Sequence, residues 1–370
     1  MSVQHRVLPL DRRNIAAAIA AKGTVDDDGK MPAEYLVGIR ARQDSLRKLA
    51  NLSYTLYDCW MYNRVVYERY GAPEVLQVIE FERPPDPTGS EVRIRVAAAS
   101  LNPTDAKIRR GELSQVFPVQ FPATPGVDVA GTVEAAGESS GFQVGDRVFG
   151  FAVGGSNADI AMLAEPLAIP DEVSFDQASA LPTAGEAALR AYRAANVSAG
   201  NVLVVHGAAG AIGSIVTQLA VADDVTVIGT VGTTNDDEML RDLGGQPVRY
   251  GDGWADRVRT ALGDRSVDAV LDTSGHGVVA ESITLVDDPR RVVTLADMSA
   301  LSLGATFTGM DPTDRAPTSD LGILANMVGS GTLRVDIWKT YPMDQVVQAH
   351  TDLEAGINHG KIILTPAGPR

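Results

Sequence analysis

The sequence predicts an α/β protein in which a helical N-terminal segment and a β-rich region precede a doubly wound parallel sheet. Three patterns predict this order: an apolar stripe at helical spacing before residue 60, strict alternation of apolar and polar residues near residue 92, and a strand–helix–strand rhythm after Pro182. The chain has 370 residues, 45% of them apolar, which is enough for a large buried core. We therefore expect two or three domains.

The N-terminal segment, residues 1–60, predicts two helices joined by a polar loop at residues 26–32. In the second helix, apolar residues recur three, four and seven positions apart, which places them on one helical stripe. They are Leu36, Ile39, Leu46, Leu49, Leu52 and Leu56. A helix of this length is stabilised mainly by covering its apolar face, so we expect residues 33–58 to pack on the following domain or across a subunit interface. The alternative is that Met61 is the ancestral start and that an added segment precedes it.

The β-rich region covers residues 64 to about 172. Residues 91–96 read Glu-Val-Arg-Ile-Arg-Val, which is the period of a half-buried strand. One short helix interrupts the strands: Asn102 can cap it, Pro103 suits its first position, and Asp105 favours its positive end.

After Pro182 the pattern alternates between strand and helix. The predicted strands are 201–206, 225–230, 267–271 and 291–295, and the predicted helices are 210–222 and 236–243. Such alternation indicates right-handed crossovers and a parallel sheet covered on both faces. The last fifty residues return to short strand-like pieces.

A glycine-rich turn follows the first of these strands, with the sequence Gly-Ala-Ala-Gly-Ala-Ile-Gly at 207–213. A strand, such a turn and a helix together form a dinucleotide-binding site, with the pyrophosphate at the helix start. The expected contacts are Ala209, Gly210, Ala211, Ile212 and Gly213. Ala208 replaces the first glycine of the usual motif, so a turn without a ligand is the alternative.

The end of the second strand indicates which dinucleotide binds. An NAD site usually has an acid there for the ribose hydroxyl, whereas residues 229–235 read Gly-Thr-Val-Gly-Thr-Thr-Asn. Thr230, Thr233 and Asn235 suit a 2′-phosphate better than a carboxylate would. This run has no Arg or Lys, and two acids follow it at 236 and 237. The prediction is NADP (NADPH).

Charge and cysteine content exclude several classes of function. The net charge of -15 disfavours nucleic acid and anionic lipid as partners. The lone cysteine, Cys59, permits neither an internal disulfide nor a thiolate zinc site. No secretory leader and no apolar run of membrane-spanning length occurs, so we expect a cytoplasmic protein without membrane contact.

Seven motifs in a fixed order carry a resemblance to a known family. They lie at 66–76, 102–105, 124–131, 144–148, 180–182, 205–213 and 360–364. Over residues 64–365 the chain resembles the zinc-independent medium-chain dehydrogenases/reductases of the quinone oxidoreductase group. The resemblance implies a GroES-like catalytic domain at 61–182, completed by 321–370, and a Rossmann NADP-binding domain at 183–320.

The resemblance also implies which residues form the site. Zinc-dependent relatives carry a Cys where Asn102 stands and a His-Glu pair where Val127 and Asp128 stand, so no metal is expected. The candidate catalytic donors are Asn102, Thr104 and Lys107. Asn102 could instead be only a helix cap, and Lys107 only a solvated side chain.

Further cofactor contacts follow from the same resemblance. Tyr250 matches a family tyrosine on the adenosine phosphate side, and Thr273 and Ser274 follow the fourth strand and could line the dinucleotide. Ala187 stands where many relatives have a Thr beside the nicotinamide, so one contact is lost or replaced.

The function expected from these residues is hydride transfer from NADPH to a quinone, an enone or another activated C=C bond. A conjugated acceptor spreads the developing charge, so positioning and one or two donors can replace a metal. The partners expected are a small electrophilic substrate and, as is common in the family, a second subunit in a homodimer. The alternatives are a catalytically vestigial NADP-binding protein and a reducing subunit of a biosynthetic assembly.

Overall fold

The computed structural model describes residues 61–309 and 312–366, which form a β-rich sheet, a parallel sheet and a two-stranded sheet of Met61–Val66 and Gln77–Glu82. The predicted helices at 1–60 lie outside the described residues. In chain order the strands are β1 Met61–Val66, β2 Gln77–Glu82, β3 Val92–Leu101, β4 Asp128–Ala136, β5 Arg147–Val153, β6 Ile160–Leu163, β7 Leu167–Ala168, β8 Val202–His206, β9 Thr226–Val231, β10 Gln246–Arg249, β11 Ala269–Asp272, β12 Val292–Thr294, β13 Thr306–Phe307, β14 Ile337–Pro342 and β15 Lys361–Thr365.

Helices cover both faces of the parallel sheet and flank the β-rich one. In chain order they are α1 Pro103–Arg110, α2 Phe175–Ser179, α3 Pro182–Ala195, α4 Ala211–Ala222, α5 Thr234–Asp242, α6 Trp254–Leu262, α7 Val279–Ser282, α8 Ala300–Leu303, α9 Thr318–Gly329 and α10 Val346–Ala355.

The β-rich sheet is built from two distant parts of the chain. Its order is β14-β15-β3-β4-β5-β6, β7 pairs with β5, and β3 also pairs with β6. β15 is parallel to β14 and antiparallel to β3, and it places Ile363 opposite Ser100. The C-terminal strands therefore complete the sheet that β3 to β6 begin, as the resemblance implied for a GroES-like domain.

The parallel sheet has the order β10-β9-β8-β11-β12-β13, and every neighbouring pair in it is parallel. In sheet-internal numbering this is 3-2-1-4-5-6, the order of the Rossmann fold. Its central strands are buried on both faces: every residue of β8, β11 and β12 is buried. The predicted doubly wound sheet is confirmed. In such a sheet the ligand lies beyond the carboxyl ends of the central strands, here β8 and β9.

Helix α3 leads from the β-rich region into the parallel sheet and packs closely on α9. An added Cβ at Gly185 would lie 2.7 Å from Leu324 Cδ1, so glycine permits the close approach. Alanines on the same face, among them Ala184, Ala188 and Ala191, are buried in the largest core cluster. Small residues thus set the spacing of this layer.

The element boundaries follow the sequence prediction closely. Helix α1 begins directly after Asn102, α4 begins one residue later than predicted, and α5 begins two residues earlier. The exact domain boundaries at 182 and 320 stay a prediction. Within the described part of the chain, no helix has the length and apolar character needed to cross a membrane.

Candidate functional site

The glycine-rich turn joins β8 to α4 at the carboxyl edge of the parallel sheet. Gly207 has φ +72°, a conformation that favours glycine, and Gly210 directly precedes the first residue of α4. A Cβ at Gly213 would lie 2.2 Å from the Gly207 carbonyl oxygen, so only glycine lets α4 pack this closely on the turn. Gly210 is exposed, and Ala209, Ala211 and Ile212 are partly exposed. The predicted contact segment is therefore accessible at a helix N-terminus, where amides favour a pyrophosphate.

The residues predicted for the ribose end lie at the carboxyl ends of β9 and β10, but they differ in their exposure to solvent. Thr230 is buried, and its hydroxyl lies 3.1 Å from His206 Nδ1. Thr233 caps α5 by accepting the backbone N–H of Asp236. Asn235 is exposed, and Tyr250 is 67% exposed. The surface of this end is thus formed by Thr233, Asn235 and Tyr250, with the Thr230 side chain directed into the protein.

The two acids that follow this run are both paired. Asp236 accepts hydrogen bonds from Thr233 and lies 3.2 Å from His359 Nδ1, and Asp237 accepts a 2.7 Å bond from Arg249. Although burial opposes it, these hydrogen bonds lower the pKa of Asp236. Arg249 and His359 come from distant segments, which is why the local sequence around Thr230 did not reveal them. They bring a guanidinium and an imidazole to a run that has no basic side chain of its own.

Thr273 and Ser274 follow β11, beside the end of β8, as expected. Thr273 Oγ1 donates to the His206 carbonyl oxygen at 2.7 Å, and Ser274 Oγ donates to Asp272 at 2.7 Å. Their hydroxyls therefore hold the adjacent turns together. A dinucleotide could be contacted only by the hydrogen-bonding groups of these two residues that these bonds leave unused.

A second polar cluster surrounds Asn102, where β3 ends beside β15 and β4. Asn102 is buried, its Nδ2 donates to Asp128 Oδ2 at 2.9 Å, and its Oδ1 accepts from Lys361 Nζ at 2.6 Å. The carboxylate of Asp105 accepts the backbone N–H of Asn102 at 2.8 Å. Asn102 is also the N-cap residue of α1, and Asp105 completes a capping box with it. The two interpretations from sequence, a cap and a site residue, are therefore compatible.

Asp128 is the centre of this cluster and is fully buried. Besides Asn102 it accepts from Ser100 Oγ at 3.2 Å and from both the backbone N–H and the hydroxyl of Thr183, at 3.1 and 2.6 Å. Lys361 Nζ lies 3.7 Å away. In the sequence analysis, Asp128 appeared only as the replacement of a zinc-site Glu, and Lys361 only as part of the motif at 360–364. A lysine that begins an apolar strand was the available signal, because lysine is seldom buried without a partner.

Burial and neighbouring charges shift the pKa values of Asp105 and Lys361 in this cluster. Burial, together with the nearby charge of Asp128, raises the pKa of Asp105 to about 7. Burial lowers the pKa of Lys361, although the carboxylates of Asp128 and Asp105 oppose this. A buried carboxyl with a pKa near neutrality makes stability depend on pH.

Replacing Asp105 with asparagine should therefore remove a pH-dependent part of the stability. The pKa of Asp105 is higher in the folded protein than in the unfolded chain, so its protonation stabilises the fold below about pH 4, and this stabilisation is lost as the pH rises through 7. We expect Asp105→Asn to match the wild type near pH 4 and to exceed it near pH 8 by up to about 4 kcal/mol. Urea unfolding at several pH values measures this.

The difference between wild type and variant is the informative quantity in that experiment. The pKa values of His206 and His350 are lowered by burial to about 4 and about 3, so these groups change stability in the opposite sense over part of the same range. They do so equally in both proteins and cancel. A wild-type minus variant difference that is constant from pH 4 to 8 would contradict the assignment to Asp105.

The other two predicted catalytic donors lie apart from this cluster. Thr104 and Lys107 are on the exposed side of α1, whereas Asp105 and Arg109 are on its buried side. The structure therefore brings Asn102, but not these two residues, into contact with Asp128 and Lys361. Ala187 is buried in α3.

The donor set at Asn102 is not that of a metal centre. An amide and a buried ammonium occupy it, and ammonium has no lone pair for a metal. Across residues 61–309 and 312–366, no group of three His, Cys, Asp or Glu side chains is arranged to hold a metal ion.

A small cavity lies between the glycine-rich turn and the start of β15. It is lined by Ala209 and Ala211 from the glycine-rich turn and by Gly360 and Lys361 from the start of β15. A dinucleotide bound at the turn would thus lie beside the segment that carries the ammonium next to Asn102. Asn102 itself is 4% exposed, and Lys361 is the residue of its cluster that lines this cavity.

Comparisons with known proteins agree with this architecture. The family model described as "Alcohol dehydrogenase GroES-like domain" matches residues 88–165, and the one described as "Zinc-binding dehydrogenase" matches residues 244–364. The quinone oxidoreductase of Rattus norvegicus is 30% identical over 314 residues, covering 80% of this chain and 95% of the relative.

Two solved structures are similar over most of their length. The quinone oxidoreductase from Coxiella burnetii has a TM-score of 0.71 and 27% identity, covering 82% of this chain and 99% of that one. A mycobacterial protein solved in complex with NADPH has a TM-score of 0.70 and 26% identity, covering 82% of this chain and all of that one.

Proposed function

Because the chain belongs to the quinone oxidoreductase family of the medium-chain dehydrogenases/reductases and is an NADP-dependent oxidoreductase, we propose that it transfers a hydride from NADPH to a quinone, an enone or another activated C=C bond. The proposal extends from the family to the substrate class. Enoyl thioesters are the acceptors expected of the alternative, a reducing subunit of a biosynthetic assembly.

The observation that carries the proposal is the Asn102 amide, held by Lys361 on one side and by Asp128 on the other. A neutral amide N–H is a weak electrophile, too weak for the localised charge of an alkoxide formed from an isolated ketone. Hydride addition to a conjugated acceptor spreads that charge over carbon and oxygen. One positioned amide donor is suited to stabilising this delocalised charge. A proton from solvent then completes the reduction.

Preference for NADPH over NADH is supported by the charges at the ribose end. The acid at 237 is paired with the Arg249 guanidinium, and the acid at 236 lies against the His359 imidazole, so neither stands as a free carboxylate that would repel a 2′-phosphate. Bound NADPH supplies the hydride; Thr233, Asn235, Tyr250 and Arg249 are the residues we propose for its phosphate end.

A homodimer in the cytoplasm completes the proposal. β13 is an edge strand of the parallel sheet, and apolar side chains are exposed close to it, at Met298, Leu301 and Leu303. An exposed apolar patch beside a sheet edge is suited to pairing with a second copy.

Steady-state oxidation of NADPH by a panel of acceptors tests the function. We expect a quinone, an enone or an enoyl thioester to be reduced at least about tenfold faster than a saturated ketone, a difference of about 1.4 kcal/mol in the barrier. NADPH should support the reaction at least about tenfold better than NADH in kcat/KM. Tight NADPH binding without turnover of any acceptor would instead favour a vestigial binding protein, and turnover of enoyl thioesters alone would favour a reducing subunit.

A further inference from the structure

Lys361 is a buried lysine that the predicted chemistry does not use. The residue is 4% exposed, and its ammonium lies among the side chains of Asn102, Asp128 and Asp105 at the start of β15. Burying a lysine costs free energy unless its charge is well compensated. Its burial beside Asn102 and Asp128 therefore points to a role in the site rather than in packing.

The nearest partner of the ammonium is the amide and not the carboxylate. Lys361 Nζ is 2.6 Å from Asn102 Oδ1 and 3.7 Å from Asp128 Oδ2. Asp128 already accepts from Ser100, Asn102 and Thr183. A lysine that served only as a counter-ion would be expected to make its short hydrogen bond to the carboxylate.

These two contacts fix which way the amide faces. In the observed orientation, Oδ1 meets a donor and Nδ2 meets an acceptor. Rotating the amide by half a turn would set Nδ2 against the ammonium and Oδ1 against the carboxylate, which replaces both hydrogen bonds with repulsive contacts. An amide nitrogen carries two hydrogens, so one remains after the bond to Asp128. A cation on Oδ1 also polarises the amide and strengthens that remaining N–H as a donor.

We propose that Lys361 is a positioning residue that locks and polarises the Asn102 amide, so that its second N–H is held ready for the acceptor. This inference rests on the proposed function, in which that N–H contacts the substrate. Lys361 acts through Asn102 and does not itself touch the reacting atoms.

A double-mutant cycle in the full-length protein tests the inference. Lys361→Met keeps the length of the side chain and removes its charge and donors. We expect kcat with a quinone to fall about 10- to 100-fold, less than the roughly 100- to 1,000-fold for a lost donor because Asn102 itself is retained, while the affinity for NADPH stays within about twofold. In the background of Asn102→Ala, the same change should cost little more, because the group through which Lys361 acts is absent. Lys339→Met, an exposed lysine on neighbouring β14, is the matched control and should leave kcat unchanged.

The outcomes separate a positioning role from a structural one. Independent, multiplicative losses in the double variant, or a Lys361→Met variant with wild-type kcat, would overturn the inference. Should Lys361→Met not fold, Lys361→Gln replaces it: it retains an N–H donor, and we expect a smaller loss in kcat that is again absent in the Asn102→Ala background.

A measurement without turnover distinguishes this inference from the proposed function. In protein labelled with heavy nitrogen at asparagine, the side-chain signal of Asn102 is identified by its disappearance in Asn102→Ala. We expect its amide protons to exchange with solvent slowly in the wild type and in Lys339→Met, and faster in Lys361→Met. If no acceptor is reduced but exchange changes in this way, the proposed substrate class is wrong, whereas the positioning of the Asn102 amide by Lys361 is supported. Unchanged exchange in Lys361→Met would contradict the positioning role of Lys361, whatever the substrate is.

Discussion

Replacing Asp128 with alanine should destabilise the protein by about 3–5 kcal/mol, because the change removes the carboxylate that compensates a buried charge. Four hydrogen bonds, from Ser100, Asn102 and Thr183, lose their acceptor, and Lys361 loses its nearest carboxylate. Domains commonly have a total stability of about 5–15 kcal/mol, so the loss is large. Urea unfolding followed by circular dichroism measures it.

A compensating variant makes this prediction specific. Asp128→Asn combined with Lys361→Met removes both charges together, and we expect it to be more stable than Asp128→Ala alone. Asp264→Ala removes an exposed carboxylate and is the control, expected within about 0.5 kcal/mol of wild type. If the double variant is less stable than Asp128→Ala, an uncompensated ammonium is not the cause of the loss.

Replacing Gly213 with valine should abolish dinucleotide binding. A Cβ there would lie 2.2 Å from the Gly207 carbonyl oxygen and 2.8 Å from Ala208 Cα, so α4 must move away from the turn that it supports. We expect the affinity for NADPH to fall by about 100-fold or more, equivalent to about 2.7 kcal/mol. Overpacking at this contact should also cost about 1–3 kcal/mol of stability. Titration by fluorescence quenching and thermal unfolding measure the two effects.

Gly322 offers a matched control for that substitution. It lies in α9, and an added Cβ there meets no atom within 4 Å. Gly322→Ala should stabilise the protein by about 0.5–1 kcal/mol, since alanine favours a helix, and it should leave NADPH binding unchanged. NADPH affinity within twofold of wild type in Gly213→Val would contradict the role assigned to the turn.

The parts of the site that depend on local sequence could be predicted well. The glycines at 207, 210 and 213 lie within one strand, turn and helix, and their spacing in that context predicted this local structure. Contact of the turn with a dinucleotide stays a prediction. The strands and helices around them were predicted to within two residues, because burial on both faces imposes a clear apolar pattern on β8 and β9.

The parts that depend on distant contacts were missed or only partly predicted. From sequence, Asn102 could be a cap or a site residue. The orientation of its amide depends on Lys361, which lies 259 positions away. Thr230 was expected to face the cofactor, but its hydroxyl points into the protein, where it pairs with His206 on the neighbouring strand. Arg249 reaches the acid at 237 only because β10 pairs with β9. Such contacts arise from topology, which residue spacing does not reveal.

The insertion of β15 between β14 and β3 has a consequence for the order of folding during synthesis. The strands of the parallel sheet, at 202–307, adjoin one another in sequence and can pair while the chain is still emerging from the ribosome. β3 must wait for β15, which is made about 260 residues later. Until then Asp128 and Asn102 lack their ammonium partner, and the edge of β3 is open. The amide centre is therefore assembled after most of the chain has been translated, and the exposed edge of β3 marks the stage at which a nascent chain is most vulnerable to aggregation.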